Sequence, residues 1–351
     1  MNKTPHKICA VFFVVTCFIH FAKMQNYARM LVVEILKNFL SLKSVKEFIE
    51  TKQSASNAYL FFSPDSKTNK MYAKAISLAL LCNNPICFSC PNCLKILGDV
   101  HPDVLSFPEG KSLSVNDSKN IVLECSKATM HADKKIIIIN DIDNSSPEAQ
   151  NKLLKIIEEP PKNVIFLATA TNLDKVLPTI KSRMQKRFVE EFSTSQIEQM
   201  ISQNQSPSKL LAISKGKGYI GLTLDILADE NYYNLYQKAK ACVFQLKSSP
   251  QILAFLGDKN FSRDTLSKML YFMSEFYRDL MVVKYNKTNC LANDFELETY
   301  RSAVGEFSLL ALKKIQENLH MANKKLMSNG NVGLIFETLL IKNLEVKFLC
   351  K

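Results

Sequence analysis

Glycine is scarce in this chain, and tryptophan is absent from it. Only 9 of the 351 residues are glycine, and none of them precedes Gly98. A phosphate-cradling loop needs glycines, because backbone N–H groups approach phosphate oxygens closely in conformations that a Cβ atom would block. The residues before Gly98 therefore lack the material for a glycine-rich phosphate loop.

Long Gly/Pro-rich or polar low-complexity tracts are also missing, which argues against extensive disorder. With 351 residues and 47% hydrophobic content, the chain can bury a substantial core and is expected to divide into two or three domains. The net charge of +12 suits a protein that sits beside an acidic polymer or acidic partners. Lysines scattered over an ordinary solvated surface would explain much of the same excess.

The N-terminus carries an uncharged run from Ile8 to Ala22 behind two lysines, a pattern that superficially matches a secretory signal. The run is too short to span a bilayer comfortably, and no small-x-small cleavage site follows it. We instead expect a start codon that is set too early, with translation beginning at Met24 or Met30. Residues 1–29 would then be an extension of a cytoplasmic protein with no membrane partner.

Short apolar runs of the kind found in buried strands alternate with segments of helical periodicity. The predicted strands are Ala58–Phe62, Val104–Phe107, Ile136–Ile139 and Val164–Thr169. The predicted helices are Leu31–Glu50, Lys70–Leu81, Ser118–Met130 and Pro147–Glu158, the last with a capping box from Ser145 and Glu148. This alternation implies a parallel sheet covered by helices on both faces, followed after Phe188 by amphipathic helices alone.

Four closely spaced cysteines form a strong chemical signal. Cys82, Cys87, Cys90 and Cys93 contain two Cys-x-x-Cys steps that share Cys90. Four thiolates suit tetrahedral zinc, so the cluster predicts a structural zinc site. A reduced buried cluster or a redox pair is the alternative. The other cysteines are dispersed in apolar or helical contexts and are expected to be ordinary thiols.

A series of motifs occurs in one order between residues 30 and 225. The motifs are Ala58–Phe61, the cysteine cluster, Gly98 with His101-Pro102-Asp103, Asn151–Lys155, Glu158-Glu159-Pro160-Pro161, Phe166–Thr169, Leu177–Ile180 and Ser182-Arg183. Together they resemble bacterial clamp-loader subunits of the AAA+ class, within the DNA polymerase III system. Chance assembly of all these motifs in order is very improbable.

The resemblance implies an architecture of α/β plus all-α domains. It places an AAA+ RecA-like parallel-sheet domain at 30–191, with the zinc module inserted at 82–93. A small helical lid domain follows at 192–235, and a helical collar domain at 236–351 would join the subunits of the complex.

The resemblance also implies where a nucleotide would bind, and the residues there are unsuited to one. Where the family's ATPases have a Gly-rich loop ending in Gly-Lys-Thr, this chain has Ser63 to Lys70, with Thr68, Asn69 and Lys70 in the last three places. Neither the glycine nor the lysine is in register. Asp65 would repel a phosphate by about 4 kcal/mol at about 4 Å and an effective dielectric near 20.

Two further positions lead to the same expectation. The strand Ile136–Ile139 would deliver two acidic residues to Mg²⁺ and to the attacking water, yet it is followed by Asn140 and Asp141. The arginine that the family's ATPases place on the phosphates falls at Gly221. We therefore expect that the chain takes no ATP as a cofactor and that the isolated chain has no catalytic activity.

Within the family, these losses are typical of the delta prime branch, which lacks ATP binding. Such a subunit implies tau/gamma and delta partners in a hetero-pentamer that loads the sliding clamp on primer-template DNA, as part of a DNA-directed DNA polymerase holoenzyme. The intact pair Ser182-Arg183 would supply an arginine finger in trans, with a surface ion pair as the alternative. A tau/gamma-type ATPase and an unrelated zinc-containing DNA-binding module are the competing hypotheses for the chain.

Overall fold

The computed structural model describes residues 29–50, 56–82, 86–108, 112–201, 206–246, 248, 250–252 and 262–350. The extension predicted for residues 1–29 lies outside the described residues except for Arg29. The chain forms two compact units, which are Met1–Gln203 with Gly218–Leu222 (unit 1) and Asn204–Lys217 with Thr223–Lys351 (unit 2). The division into three domains at 191/192 and 235/236 stays a prediction.

Unit 1 is built around a parallel sheet of five described strands. The strands are β1 (Ala58–Phe62), β2 (Val104–Phe107), β3 (Lys135–Ile139), β4 (Val164–Ala170) and β5 (Gln185–Phe188). Their order across the sheet is β2-β3-β4-β1-β5, and all neighbouring strands run parallel. The carboxyl ends of β1, β3 and β4 therefore meet at one edge of the sheet, where ligands of open α/β folds bind.

The central strands are almost completely buried, whereas the outer strands are not. β1, β3 and β4 read as nearly continuous apolar runs, as expected for parallel strands that are covered on both faces. All four predicted strands are confirmed, and with them the α/β class. β5 was not predicted, because its sequence Gln-Lys-Arg-Phe is exposed throughout and carries no apolar pattern.

Helices cover both faces of this sheet. The described helices of unit 1 are α1 (29–41), α2 (Lys43–Glu50), α3 (Ser66–Leu81), α4 (Pro91–Leu97), α5 (Val115–Ser126), α6 (Pro147–Glu158), α7 (Pro178–Arg183) and α8 (Thr194–Ile201). On one face, the ring of Tyr72 lies 5.0 Å from that of Phe61 and 5.6 Å from that of Phe39. On the other face, Leu153 of α6 shares a buried cluster with Phe166 of β4.

Helix starts differ from the predicted ones where a capping side chain sets them. α3 begins at Ser66 rather than at Lys70, because Asp65 caps it. α6 is capped by Ser146 rather than by Ser145. In both cases the side-chain oxygen accepts a first-turn N–H that has no partner inside the helix. The single helix predicted ahead of β1 is divided into α1 and α2.

Unit 2 is helical, as predicted for the C-terminal part of the chain. Its helices are α9 (Pro207–Gly216), α10 (Ile220–Ala228, whose first residues belong to unit 1), α11 (Glu230–Phe244), α12 (Arg263–Lys284), α13 (Leu297–Ala303), α14 (Leu309–Met327) and α15 (Val332–Leu349). The buried carboxylate of Asp279 accepts hydrogen bonds at 3.0 Å from the N–H groups of Ala292 and Asn293 and from the Tyr300 hydroxyl. None of the described helices combines the length and apolar character that crossing a membrane requires.

Candidate functional site

The loop between β1 and α3 is closed by its own side chains. Asp65 is 4% exposed, and its carboxylate accepts hydrogen bonds from the N–H groups of Lys67 and Thr68 at 3.2 and 3.0 Å. The Thr68 hydroxyl donates to the same carboxylate. Asp65 thus satisfies N–H groups at the start of α3 and places its negative charge at the positive end of the helix dipole.

Asn69 holds the same loop from inside unit 1. Its buried Nδ2 donates to the carbonyl oxygens of Ser63 and Ala170 at 3.1 and 2.9 Å, and its Oδ1 accepts the Ser63 hydroxyl at 2.7 Å. These bonds use both amide protons and one oxygen lone pair, and they join the loop to the end of β4. A neutral amide therefore occupies the place where the resemblance leads one to expect a lysine.

The carboxyl end of β3 meets α3 through Asp141. The residue adopts a left-handed backbone conformation with φ 49°, which aspartate tolerates better than most residues. Its Oδ1 accepts the Ser66 hydroxyl at 2.6 Å, and its Oδ2 lies 2.6 Å from Nζ of Lys70. Asn140 faces β2 instead and donates to the Ser106 hydroxyl at 2.7 Å. The acidic group after β3 is therefore paired with groups of the chain itself.

The segment Gly218–Leu222 of unit 1 approaches the Asp65 carboxylate closely. The N–H group of Gly221 donates to the Thr68 hydroxyl at 2.9 Å, and that of Leu222 donates to Asp65 at 3.0 Å. A Cβ atom on Gly221 would lie 2.2 Å from Oδ2 of Asp65, closer than real Cβ contacts come. An arginine at this position would therefore collide with the carboxylate.

The four predicted metal ligands come together in unit 1. The Sγ atoms of Cys82, Cys87, Cys90 and Cys93 all lie within 4.8 Å of one another, and none of them forms a disulfide. The Cys82 sulfur lies 3.7 Å from that of Cys87 and 4.0 Å from that of Cys90. Zn–S bonds of about 2.3 Å in a tetrahedron separate the sulfurs by about 3.8 Å. The cluster could therefore hold a metal ion with little rearrangement.

These thiols differ in how readily they lose their protons. Backbone N–H groups of Ser89 and Cys90 lower the pKa of Cys87 to about 6. Burial instead raises the pKa of Cys82 and of Cys93. A bound metal ion requires thiolates, so binding would displace protons from the two buried thiols and would strengthen as the pH rises.

The turn His101-Pro102-Asp103 joins the cysteine module to the sheet. The Asp103 carboxylate is fully buried, and burial alone would disfavour its charge. The carboxylate accepts hydrogen bonds from the backbone N–H groups of Met130, His131 and Ala132 at 2.7, 2.7 and 2.9 Å. These bonds hold the pKa of Asp103 below its ordinary value. His101 accepts the Asp103 N–H through Nδ1 at 3.1 Å, while its Nε2 lies 3.4 Å from Oδ1 of Asn92. The turn has structural partners on both sides.

Arg183 ends α7 and makes an ion pair within unit 1. Its Nη2 lies 3.0 Å from Oε1 of Glu158, and its Nη1 donates to the carbonyl oxygen of Thr179 at 3.1 Å. The Ser182 hydroxyl donates to the same carbonyl at 3.1 Å. The Arg183 side chain is 31% exposed. The surface ion pair considered as an alternative role for Arg183 is therefore present in the single chain.

Comparison with known proteins finds relatives that belong to DNA polymerase III. Residues 41–193 match the family model described as DNA polymerase III, delta subunit. DNA polymerase III subunit delta' of Bacillus subtilis is 25% identical over 307 residues, which span 83% of this chain and 91% of that protein. The subunit delta' of Buchnera aphidicola is 36% identical over 124 residues, or 32% of this chain and 37% of that protein. Over most of its length the chain is therefore similar to a delta' subunit of DNA polymerase III.

Relatives of a second subunit type also match the chain. DNA polymerase III subunit gamma/tau of Mycoplasma pneumoniae is 25% identical over 166 residues, which span 46% of this chain and 24% of that protein. A solved DNA polymerase III gamma subunit-related protein from Thermotoga maritima covers 87% of this chain at 17% identity and a TM-score of 0.37. That likeness is too distant to bear on function.

Sequence patterns located these residues but missed several of their contacts. Asp65 lies three residues before Thr68, which is the spacing of a helix N-cap, and this signal could have placed the start of α3. The pairing of Glu158 with Arg183 joins two motifs that are remote in sequence. The anchoring of the loop after α5 by Asp103 had no local signal, because its donors are backbone groups.

Proposed function

We propose that this chain is a delta prime-type clamp-loader subunit of DNA polymerase III that does not bind ATP. It would assemble with tau/gamma and delta subunits in a hetero-pentamer that places the sliding clamp on primer-template DNA. The observation that carries the proposal is the hydrogen bonding of Asp65 and Asn69 at the start of α3, where the family's ATPases hold phosphates. Division into a sheet domain, a lid at 192–235 and a collar at 236–351, and a cytoplasmic location, belong to the same proposal.

Electrostatics supports the absence of nucleotide from this degenerate phosphate loop. A phosphate at the start of α3 would have to displace the Asp65 carboxylate from its donors, and the two negative charges would repel each other if both stayed. Asn69 brings no positive charge to offset them. Asp141 already neutralises Lys70 at 2.6 Å, so neither group is available to Mg²⁺ or phosphate without breaking that pair. Each of these displacements would make the free energy of nucleotide binding less favourable.

We further propose that Cys82, Cys87, Cys90 and Cys93 hold a structural zinc ion. The mutual sulfur distances and the all-thiolate donor set suit Zn²⁺. A closed site of four cysteine ligands leaves no open coordination position for substrate, so the ion would stabilise the module rather than act in chemistry.

Arg183 is proposed as an arginine finger for a neighbouring subunit. The guanidinium is partly exposed and its ion pair with Glu158 lies near the surface, where such pairs contribute only about 0 to 1 kcal/mol. Exchange of Glu158 for a phosphate of the neighbour's nucleotide would therefore cost little. Ser182 would help to fix the end of α7 through its bond to the Thr179 carbonyl.

Co-expression with the tau/gamma and delta subunits of the same host tests the proposal. We expect the chain to co-purify with them as one complex that loads the clamp on primed DNA. Failure to assemble would refute the assignment and favour a stand-alone zinc-containing DNA-binding protein. The alternative of a tau/gamma-type ATPase, which the gamma/tau relatives keep open, predicts instead that the isolated chain binds and hydrolyses ATP.

A further inference from the structure

Asp65 has an unusual set of partners for a buried acid. Its Oδ1 accepts the Lys67 N–H, while its Oδ2 accepts the Thr68 N–H, the Thr68 hydroxyl and the Leu222 N–H. Every one of these donors is a backbone N–H or a hydroxyl. A carboxylate removed from water needs such compensation, because an uncompensated buried charge is strongly unfavourable.

The donors come from the first turns of two helices. Lys67 and Thr68 begin α3, and Leu222 belongs to the first turn of α10. Gly221, also in that turn, is tied to the same group through the Thr68 hydroxyl at 2.9 Å. First-turn N–H groups have no partner inside their helix and, with the helix dipole, form sites that favour an anion such as phosphate. Here a side chain of the protein is that anion.

Glycines make this double contact possible. Gly221 lets the backbone come so near that a Cβ atom would lie 2.2 Å from Oδ2 of Asp65. Gly218 has φ +83°, and a Cβ atom there would lie 2.7 Å from the Glu191 Cβ. Gly221 therefore permits the close approach to the carboxylate, and Gly218 permits the turn of the segment against Glu191.

We propose that Asp65 is a built-in anionic ligand, whose carboxylate takes the place of a phosphate group and fixes the segment Gly218–Leu222 on unit 1 without nucleotide. The inference rests on the proposed absence of ATP binding and adds a cause for it. Asp65 acts as a positioning residue, because it makes no contact with a reacting group. The chain thus keeps this segment in place permanently, where a nucleotide-dependent protein would hold it only with ligand bound.

Removal of the carboxylate should open a site that small anions can fill. We expect Asp65→Ala to lower the melting temperature by several degrees, and formate or inorganic phosphate to restore part of the loss in a saturable manner. Chloride at matched ionic strength should not. Asp229→Ala is the control, because Asp229 also caps a helix and accepts the Asn231 N–H, but its contact with a second helix is an ion pair with Lys268 at 3.7 Å rather than a bond to first-turn N–H groups. Equal response of both variants to phosphate, or no anion-specific recovery of Asp65→Ala, would overturn the proposal.

A second measurement covers the case in which Asp65→Ala fails to fold. Hydrogen exchange of the peptide that spans Gly218–Leu222 should be slow in the wild-type chain without nucleotide. In Asp65→Asn, exchange there should accelerate by about tenfold or more while β3 stays protected; unchanged protection would refute the role of the charge. If the wild-type chain binds ATP, the proposed function is wrong. If it binds no ATP but hydrogen exchange in Asp65→Asn is unaltered, only the inference about Asp65 is wrong.

Discussion

Replacing Gly221 by alanine should destabilise unit 1. The added Cβ atom would lie 2.2 Å from Oδ2 of Asp65 and 2.7 Å from both the Lys67 Cβ and the Thr68 nitrogen. Rotation of the Asp65 side chain cannot relieve the contact without loss of hydrogen bonds, because the carboxylate is held by its donors from α3. The carboxylate must move by about 1 Å, and the backbone must also shift away from Thr68, to reach ordinary contact. Both movements disrupt the bond from Leu222.

The magnitude follows from effects of opposite sign. Alanine is favoured over glycine within a helix by up to about 1 kcal/mol. Overpacking a filled site costs about 1 to 3 kcal/mol, and a hydrogen bond to a charged acceptor contributes about 1.5 to 3 kcal/mol. The losses outweigh the gain, so the free energy of unfolding of Gly221→Ala should fall by about 2 kcal/mol or more.

Gly333→Ala is a matched control for this experiment. Gly333 also lies in the first turn of a helix, α15, yet its added Cβ atom would meet only Oδ1 of Asn331, at 3.6 Å. Urea unfolding followed by circular dichroism should show a lower midpoint for Gly221→Ala and an equal or higher one for Gly333→Ala. Combining Gly221→Ala with Asp65→Gly should cost less than the sum of the single changes, because the 2.2 Å contact with the carboxylate is removed while the contacts with Lys67 and Thr68 remain. A Gly221→Ala variant as stable as the control would refute the reasoning.

Other consequences can be measured separately. The wild-type chain should carry one zinc ion per molecule by elemental analysis, Cys90→Ser should lose it, and the buried Cys125→Ser should keep it; a metal-free wild type would contradict the site. In the assembled loader, Arg183→Ala should leave assembly intact and lower clamp-stimulated ATP turnover by about 10³-fold or more. Lys181→Ala on the same helix should leave that turnover unchanged. Equal turnover in the two variants would refute the arginine-finger role of Arg183. Because the pKa of Asp103 is lowered, its stabilising contribution is present above about pH 4 and is lost as the pH falls through the folded-state pKa. Asp103→Asn should lower the melting temperature near pH 7 and flatten its decline in acid, and an unchanged acid limb would argue against this role.

The buried part of the fold follows closely from the sequence. β1, β3 and β4 are nearly continuous apolar runs, and a run of that kind leaves few alternatives to a strand covered on both faces. β5 could not be found in this way, since Gln185–Phe188 is exposed at the edge of the sheet and is held by pairing with β1. Its existence depends on tertiary hydrogen bonds that no local pattern records.

The sequence predicted which residues belong to the candidate site, but it predicted few of the hydrogen bonds between them. The spacing of the cysteines was enough to bring four sulfurs together. From the sequence alone, Asp65 is expected to repel a phosphate. In the structure its charge is stabilising, because the start of α3 and Leu222 supply hydrogen-bond donors to it. The second of these donors lies far along the chain, so only the folded structure reveals that the acid is itself the bound anion.

Equilibrium binding of a fluorescent ATP analogue with Mg²⁺ to the purified chain tests most directly whether its own side chains fill the nucleotide position. Titration of the wild-type chain, with unlabelled ATP as competitor, should show no saturable binding in the micromolar range. Low-micromolar binding that unlabelled ATP displaces would contradict the account.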